Sequence, residues 1–528
     1  MPLLNLSAKS PARISSTRLL RGKLPELDAR LPTAAMIALF ILATRFVLVL
    51  FAVNLDGDDG ARYMQEAVNL VRYHTFSHLL AVPPSPTAHD LPAFPAIASV
   101  VIYFVKSVPF AGKLISMLNS FAYAGAALAV YRITGCLGGS PSVSAMAMIL
   151  FGFSPESLPY SVFHMPESMF LFVFLMAVYY AIIFWQEQRI RYGILAFWLS
   201  AVSIWFKPIS TFYFAVLIMV AVAVAIKTRR RAQCTAVIVA GCLIQLLMIA
   251  PWMARNQRDF GYDDISDVTG FNLFECNYRY MLEDLWHDQA KTAKYLSDLR
   301  EKMEVENPAL RSDPLAQARL MATVAAAGIR AHPLAYFKTT LIRHPRLYAG
   351  TGTVALFRLL GLGFDDPLAK FPEPRIKIVF YATQLVSWLI LLCIYLCVFR
   401  GLVVLYRAGQ HFALAVILVN IGYFAFIIGP VVATRYRMTL LPFFAIAAAF
   451  GIPLGESASK FDCGTSNIPQ VINGKAEAKL RSPAIVKNAD AYRHCTMNKR
   501  YQPVKSARPR PIKAPVLCHR CNEFITPI

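Results

Sequence analysis

The sequence predicts an all-α polytopic membrane protein of about ten spanning helices, with a large first loop and a second large loop in mid-chain. Three observations carry that prediction. Of 528 residues, 56% are hydrophobic and only 16% charged, against roughly 45–50% and about 25% in soluble domains. The apolar residues fall in blocks of about 20, the length a helix needs to cross a hydrocarbon core. The 53 Lys and Arg outnumber the 31 Asp and Glu, for a net charge of +22. They concentrate in alternate gaps between the blocks and at the two ends, as the positive-inside rule requires. Topology therefore accounts for the positive charge, and no nucleic-acid partner is expected. The Leu, Ile, Val and Phe content excludes disorder for the bulk of the chain.

The elements follow in order. A basic stretch, 1–33, is expected in the cytoplasm. The expected spans are 34–54, 113–132, 142–163, 167–185, 192–206, 209–226, 234–254, 377–399, 411–432 and 437–455. The first is too long and too far along the chain to read as a cleaved signal peptide. The first outward loop, 55–112, opens with Asp56, Asp58 and Asp59. It continues through an amphipathic helix around 61–73 and a turn rich in proline (Pro83, Pro84, Pro86). Its last part, 93–110, is apolar but starts at Pro92 and Pro95 and contains Lys106, so it reads as a helix lying in the interface. Were it to cross, Lys227, Arg229, Arg230 and Arg231 would face outward, against the charge rule.

The N-terminal membrane module thus covers 34–254. An outward loop, 255–376, carries 16 basic and 16 acidic residues, with helical patterns near 278–306 and 314–331. The C-terminal membrane helices cover 377–455. A tail, 456–528, rich in Pro, Lys and Arg, reads as disordered and cytoplasmic, and its charge suits anionic inner-leaflet lipid. Of ten cysteines, only Cys276 falls clearly in an outward region, so no disulfide framework is expected. Cys518 and Cys521, with Cys495 and Cys463, are spaced too irregularly for a structural zinc site. No internal repeat of the inverted-repeat transporter kind is visible.

On this topology the polar residues with chemical potential gather on one side of the membrane. Asp58 and Asp59 follow the first span, and Glu167 opens the fourth. Lys207 sits between the fifth and sixth, Arg255 and Asn256 follow the seventh, and Arg435 and Arg437 precede the tenth. Ionisable groups at a hydrocarbon boundary are expensive and often functional. A carboxylate can take a proton from an acceptor hydroxyl. Arg and Lys can neutralise a departing phosphate. At the bilayer edge this combination suits a donor whose phosphate is attached to a membrane lipid. Carboxylates near a phosphate also suit a divalent cation, although no ligand spacing demands one.

Several segments resemble a known family. Asp59-Gly-Ala-Arg-Tyr63-Met-Gln-Glu-Ala67 resembles the first outward loop of bacterial glycosyltransferases similar to protein O-mannosyltransferases and aminoarabinose transferases, members of the GT-C superfamily. Pro92-Ala-Phe-Pro95, Ser154-Pro155, Pro166-Glu167-Ser-Met-Phe, Pro251-Trp252-Met-Ala-Arg255-Asn256 and Arg435-Tyr436-Arg437-Met438 continue the likeness in order over roughly 34–453. The resemblance implies a GT-C-like bundle in a bacterial inner membrane. It implies transfer of a sugar from a polyprenyl-phosphate donor to a glycan, lipid or protein acceptor at the extracytoplasmic face, with inversion at the sugar carbon. Asp59 matches the family's first-loop acid, the base. Glu167 matches a second acid that holds the acceptor. Family members often continue the first acid as Asp-Glu; here Asp58-Asp59-Gly60 leaves both aspartates as candidates. Arg255, Lys207 and Arg435 are the expected phosphate contacts, and Tyr63 and Asn256 are expected to shape the substrate site. A transporter or flippase of lipid-linked sugars, and a ligase or polymerase of whole glycans, are the alternative readings.

Overall fold

The computed structural model describes residues 31–261, 263–308, 314–363 and 374–454. Residues 1–30 of the expected cytoplasmic start (1–33) and the whole expected tail (456–528), with Cys463, Cys495, Cys518 and Cys521, lie outside the described residues. Among the described residues there is no strand.

The helices are α1 (Leu31–Phe51), α2 (Gly60–Tyr73), α3 (Ala93–Val105), α4 (Val108–Cys136), α5 (Pro141–Gly152), α6 (Ser157–Tyr160), α7 (Glu167–Glu187), α8 (Ile190–Ile204), α9 (Tyr213–Thr228) and α10 (Arg231–Phe260). The mid-chain region holds α11 (Val268–Asn272), α12 (Arg279–Trp286), α13 (Gln289–Glu306), α14 (Pro314–Ala331), α15 (Pro333–Ala349) and α16 (Thr353–Leu359). The chain closes with α17 (Pro374–Arg407), α18 (His411–Ile428), α19 (Thr434–Arg437) and α20 (Leu441–Gly451).

Seven of these segments are long and apolar enough to cross a membrane: α1, α4, α7, α9 with the turn before it, α10, α17 and α18. Their outward faces carry large apolar side chains, such as Phe40, Leu247, Phe399 and Phe426, the last 85% exposed. In water such faces would be a liability; in lipid they are the solvated surface. The protein is a multi-pass membrane protein.

Three expected spans are shorter than anticipated, and proline is the physical reason at two of them. The stretch 142–163 forms the 12-residue α5 and, past a break, the four-residue α6. Ser140 caps its start, accepting from Val143 N. Pro155 stops it, because proline lacks an N–H and pushes the preceding residue out of helical geometry. The Gly152 carbonyl left open at the break accepts from Arg45 and, at 3.2 Å, from the Ser157 hydroxyl. The stretch 192–206 forms the 15-residue α8, which ends ahead of Lys207-Pro208. The stretch 437–455 forms the 11-residue α20, with Pro442 in its first turn. The apolar stretch 93–110 also divides: α3 has 13 residues and ends at Lys106 in a left-handed conformation. At about 1.5 Å per residue it spans about 20 Å, short of a ~30 Å hydrocarbon core.

With the short α5, α8 and α20 counted beside the seven long helices, successive helices of the bundle run in opposite directions. At one end, His164 N donates to Leu55 O (2.8 Å), Val53 N to Leu359 O (2.9 Å) and Ala93 N to Trp205 O (3.2 Å). The Tyr423 hydroxyl there reaches Ile209 O at 2.8 Å. At the other end, Gln186 Nε2 donates to Cys136 O (2.7 Å), Trp185 stacks on Phe412 and Lys227 lies over Trp185. Lys227 and the neighbouring arginines therefore sit at the end opposite Asp59. The short helices pack inside: α20 is buried along almost its whole length. It lies so close to α17 that a Cβ at Gly401 would overlap the Ala447 carbonyl, and one at Gly451 the Cys397 carbonyl.

Candidate active site

The site is built on the turn between α1 and α2. Gly57 takes a φ of +60° there, and the Phe163 ring fills the space a side chain would need. His164 clasps the same turn: Nδ1 lies 2.8 Å from Asp56 Oδ1, and Nε2 lies 2.9 Å from Gly112 O on α4. Asn119 donates to Phe163 O (2.7 Å) and Met165 O (3.0 Å). With 163–165 fixed from both sides, Pro166 starts α7 and places Glu167 in its first turn, where the helix dipole favours a carboxylate.

Charged side chains from four parts of the chain then converge. Asp59 accepts from Arg62 Nη1 at 3.0 Å through Oδ1, and from Arg435 through Oδ2. Arg62 grips Asp90 with two nitrogens, Nη2 to Oδ1 being 3.1 Å. Arg435 also donates to the Tyr436 hydroxyl at 3.3 Å. Lys207 Nζ is 2.7 Å from Glu167 Oε1 and 5.9 Å from the centre of the Tyr436 ring. Glu167 Oε2 is buried without a hydrogen-bond partner. Burial would raise the Asp59 carboxyl, but Arg435 and Arg62 outweigh it and hold it below the usual aspartate value. Burial alone would lower Arg435, yet Tyr436, Asp59 and Glu167 raise it well above the ordinary arginine value. Tyr63 stands beside the group on α2. Burial, and then the charges of Asp90, Glu167 and Asp59, push its hydroxyl well up.

The structure thus brings together Asp59, Glu167, Lys207, Arg435 and Tyr63. Asp58 points elsewhere and pairs with Arg358 at 2.6 Å. Arg255 lies outside the group. It bonds Thr87 O (2.9 Å), Asn256 Oδ1 (2.8 Å) and Asp259 (3.0 Å), with the rings of Trp252, Phe260 and Phe76 around its guanidinium. Asn256 donates to Asp264 O at 2.7 Å and Ile265 O at 3.3 Å. Arg255 thus fastens the end of α10 to the first loop, and Asn256 fastens it to the segment that follows.

Sequence reasoning missed several members. Arg62 lies one helical turn past Asp59, a spacing that makes such a pair readable. Asp90 offered no signal without the fold, and Tyr436 stood in a family-like motif with no role assigned to it. Arg437, which the sequence placed at this boundary, forms a fully buried pair with the unanticipated Glu156 at 2.8 Å and also donates to Tyr348 O at 2.6 Å. Glu66 is wholly buried on α2, neither carboxyl oxygen has a hydrogen-bond partner, and His78 Nδ1 stands 3.8 Å away. Among the described residues, no group of three or more His, Cys, Asp or Glu side chains is arranged to hold a metal ion.

No protein-family model matches the chain, and no curated protein matches it by sequence. Among solved structures it is similar to the oligosaccharyltransferase AglB of Archaeoglobus fulgidus in complex with an inhibitory peptide and a dolichol-phosphate. That match has a TM-score of 0.44 and 13% identity and covers 79% of this chain and 50% of that one. It is also similar to the arabinosyltransferase EmbB of Mycobacterium smegmatis, with a TM-score of 0.38 and 13% identity, covering 82% of this chain and 42% of that one. The chain spans half the length, or less, of these two proteins.

Proposed function

We propose that the protein is a GT-C-type membrane glycosyltransferase that moves a sugar from a polyprenyl-phosphate donor to an acceptor hydroxyl at the extracytoplasmic face of a bacterial inner membrane. The observation that carries this reading is the meeting of Asp59 with Arg435, beside the Glu167–Lys207 pair, at the end of the helix bundle away from the basic loop at Lys227. Asp59 takes the proton of the acceptor hydroxyl as its oxygen attacks the anomeric carbon. The bond from that carbon to the phosphate oxygen breaks with its electron pair, and the charge that develops falls to Arg435 and Lys207. Attack from the face opposite the leaving phosphate inverts the carbon. Glu167 Oε2, buried and unpartnered, suits an acceptor hydroxyl, while Tyr63 and Tyr436 supply ring surface for a sugar. Arg255 supports the site by fixing the first loop.

The test is transfer of labelled sugar from a polyprenyl-phosphate donor by the full chain in nanodiscs, with mass spectrometry of envelope glycans from cells with and without the gene naming the acceptor. Asp59→Asn, at normal expression, is expected to lower the rate by about 10²–10⁴-fold. Undiminished transfer removes Asp59 from the mechanism. Label that crosses sealed vesicles with its covalent partner unchanged marks a transporter instead.

A further inference from the structure

Among the described residues, the cations near the candidate donor site are each held by a carboxylate. Arg435 is on Asp59, Arg62 on Asp59 and Asp90, and Lys207 on Glu167. Arg358, on α16, is on Asp58. In the same arrangement each oxygen of Asp59 accepts from a guanidinium, Oδ1 from Arg62 and Oδ2 from Arg435. A carboxylate so occupied is a poor base, because its charge is neutralised and its lone pairs point at donors that hold them. The two contacts differ in what stands behind them. Arg62 lies in the first turn of the helix that Asp59 precedes, three residues on, and is anchored from behind by Asp90. Arg435 comes from the far end of the chain, on the short α19 between α18 and α20. Its other side-chain contact is the Tyr436 hydroxyl beside it, at 3.3 Å.

Resting on the glycosyltransferase reading above, we infer that Arg435 is a positioning residue that exchanges partners. In the free protein it caps Asp59, and when a phosphate monoester or diester headgroup arrives it turns to the phosphate and releases Asp59 Oδ2 to the acceptor hydroxyl. The exchange conserves charge and bonds. One N–H of Arg435 leaves a carboxylate oxygen for a phosphate oxygen, and Asp59 keeps its bond to Arg62 throughout. Once uncapped, Asp59 can accept the acceptor's proton, while Arg435 is already placed on the oxygen that takes the departing electron pair. The base is therefore unmasked only when a leaving group is present to use it, which imposes donor-first order. It also leaves the enzyme without an active base while the donor site is empty. The exchange is favoured on physical grounds because phosphate offers the guanidinium the same bidentate geometry as a carboxylate with at least as much charge. The carboxylate left behind is not stranded, since Arg62 still neutralises it.

The readout is the accessibility of one carboxyl. The full chain in nanodiscs is treated with a water-soluble carbodiimide and an amine, and coupling at Asp59 is measured by peptide mass spectrometry. The arms are no ligand, polyprenyl monophosphate and inorganic phosphate. Native mass spectrometry of the same samples records bound lipid. The lipid phosphate is expected to raise coupling at Asp59 severalfold and to leave Asp58, held by Arg358, unchanged. Arg435→Gln is expected to show the raised level with no lipid present. A response to both phosphate sources assigns the exchange to the headgroup alone; a response to the lipid alone assigns it to the lipid-borne headgroup. Bound lipid phosphate with Asp59 coupling unchanged overturns the exchange while leaving the glycosyltransferase reading intact. Absence of both lipid-phosphate binding and sugar transfer overturns that reading itself.

Discussion

Two guanidinium groups hold Asp59 in its charged form, and this fixes the direction of its pH response. The depressed carboxyl is the working base only when deprotonated. Activity should therefore persist as pH falls through the ordinary aspartate range and disappear below it. Removing the Arg435 charge should move that acid limb of kcat/KM upward, which a rate profile of Arg435→Gln measures; an unmoved limb separates Arg435 from the base. Glu66 shows the opposite case. Burial first, then the neighbouring charge of Asp90, pushes its carboxyl far above the carboxylate range, so it is uncharged at neutral pH. A carboxyl raised on folding contributes stability that is full at or below its unfolded value, near pH 4.3, and lost as pH climbs toward the folded one. Glu66→Gln, the uncharged isostere, should therefore change Tm little near pH 5 and flatten its decline toward pH 9, read by thermal unfolding at each pH. Of these groups, the sequence made Asp59, Glu167, Lys207 and Arg435 legible because each interrupts an apolar boundary. Which of them meet was not legible, since 376 residues separate Asp59 from its partner and only packed helices bring them together.

Helix length is where local sequence and structure part company. The stretches at 142–163 and 437–455 read as full spans because apolar content was continuous, yet Pro155 and Pro442 cut them to 12 and 11 residues. Pro155 stood in plain view in a family-like motif; the effect of both prolines on the backbone was the stronger message. The cuts matter for the site. They let Glu156 stand in a break between helices, and they bring Arg435 and Arg437 in just ahead of α20. Small residues make that possible: Gly401 on α17 and Gly451 on α20 let the two backbones touch, the packing that drives helix association in lipid. Gly401→Val should force the helices apart, cost about 2 kcal/mol or more and displace α19 with its two arginines. The expected signature is a lower Tm in detergent together with lost transfer activity. A variant of full stability would mean that the close approach does not hold α20 in place.

At the scale of the whole molecule, the charge pattern and the packing make one claim about sidedness. The sequence assigned Lys227, Arg229, Arg230 and Arg231 to the cytoplasm by charge alone. The structure independently puts Lys227 beside Trp185 and Phe412, at the opposite end of the bundle from the His164–Asp56 clasp and the Asp59–Arg435 pair. The helix count could not have decided this by itself, because α3 is apolar enough to pass for a span and α5, α8 and α20 are short enough to be missed. Parity is what relates the two ends: successive bundle helices, the short α5, α8 and α20 included, run in opposite directions, and the hydrogen bonds at the two ends record it. With the site end outward, cysteines introduced at Asp58 and Arg229 in a cysteine-depleted chain should behave as opposites in intact cells. Position 58 should react with a membrane-impermeant maleimide added outside, and position 229 only after permeabilisation. Reaction of both from one side would mean that a helix taken here as crossing does not cross. Reversed reactivity would place the site in the cytoplasm, where a donor facing outward could not reach it.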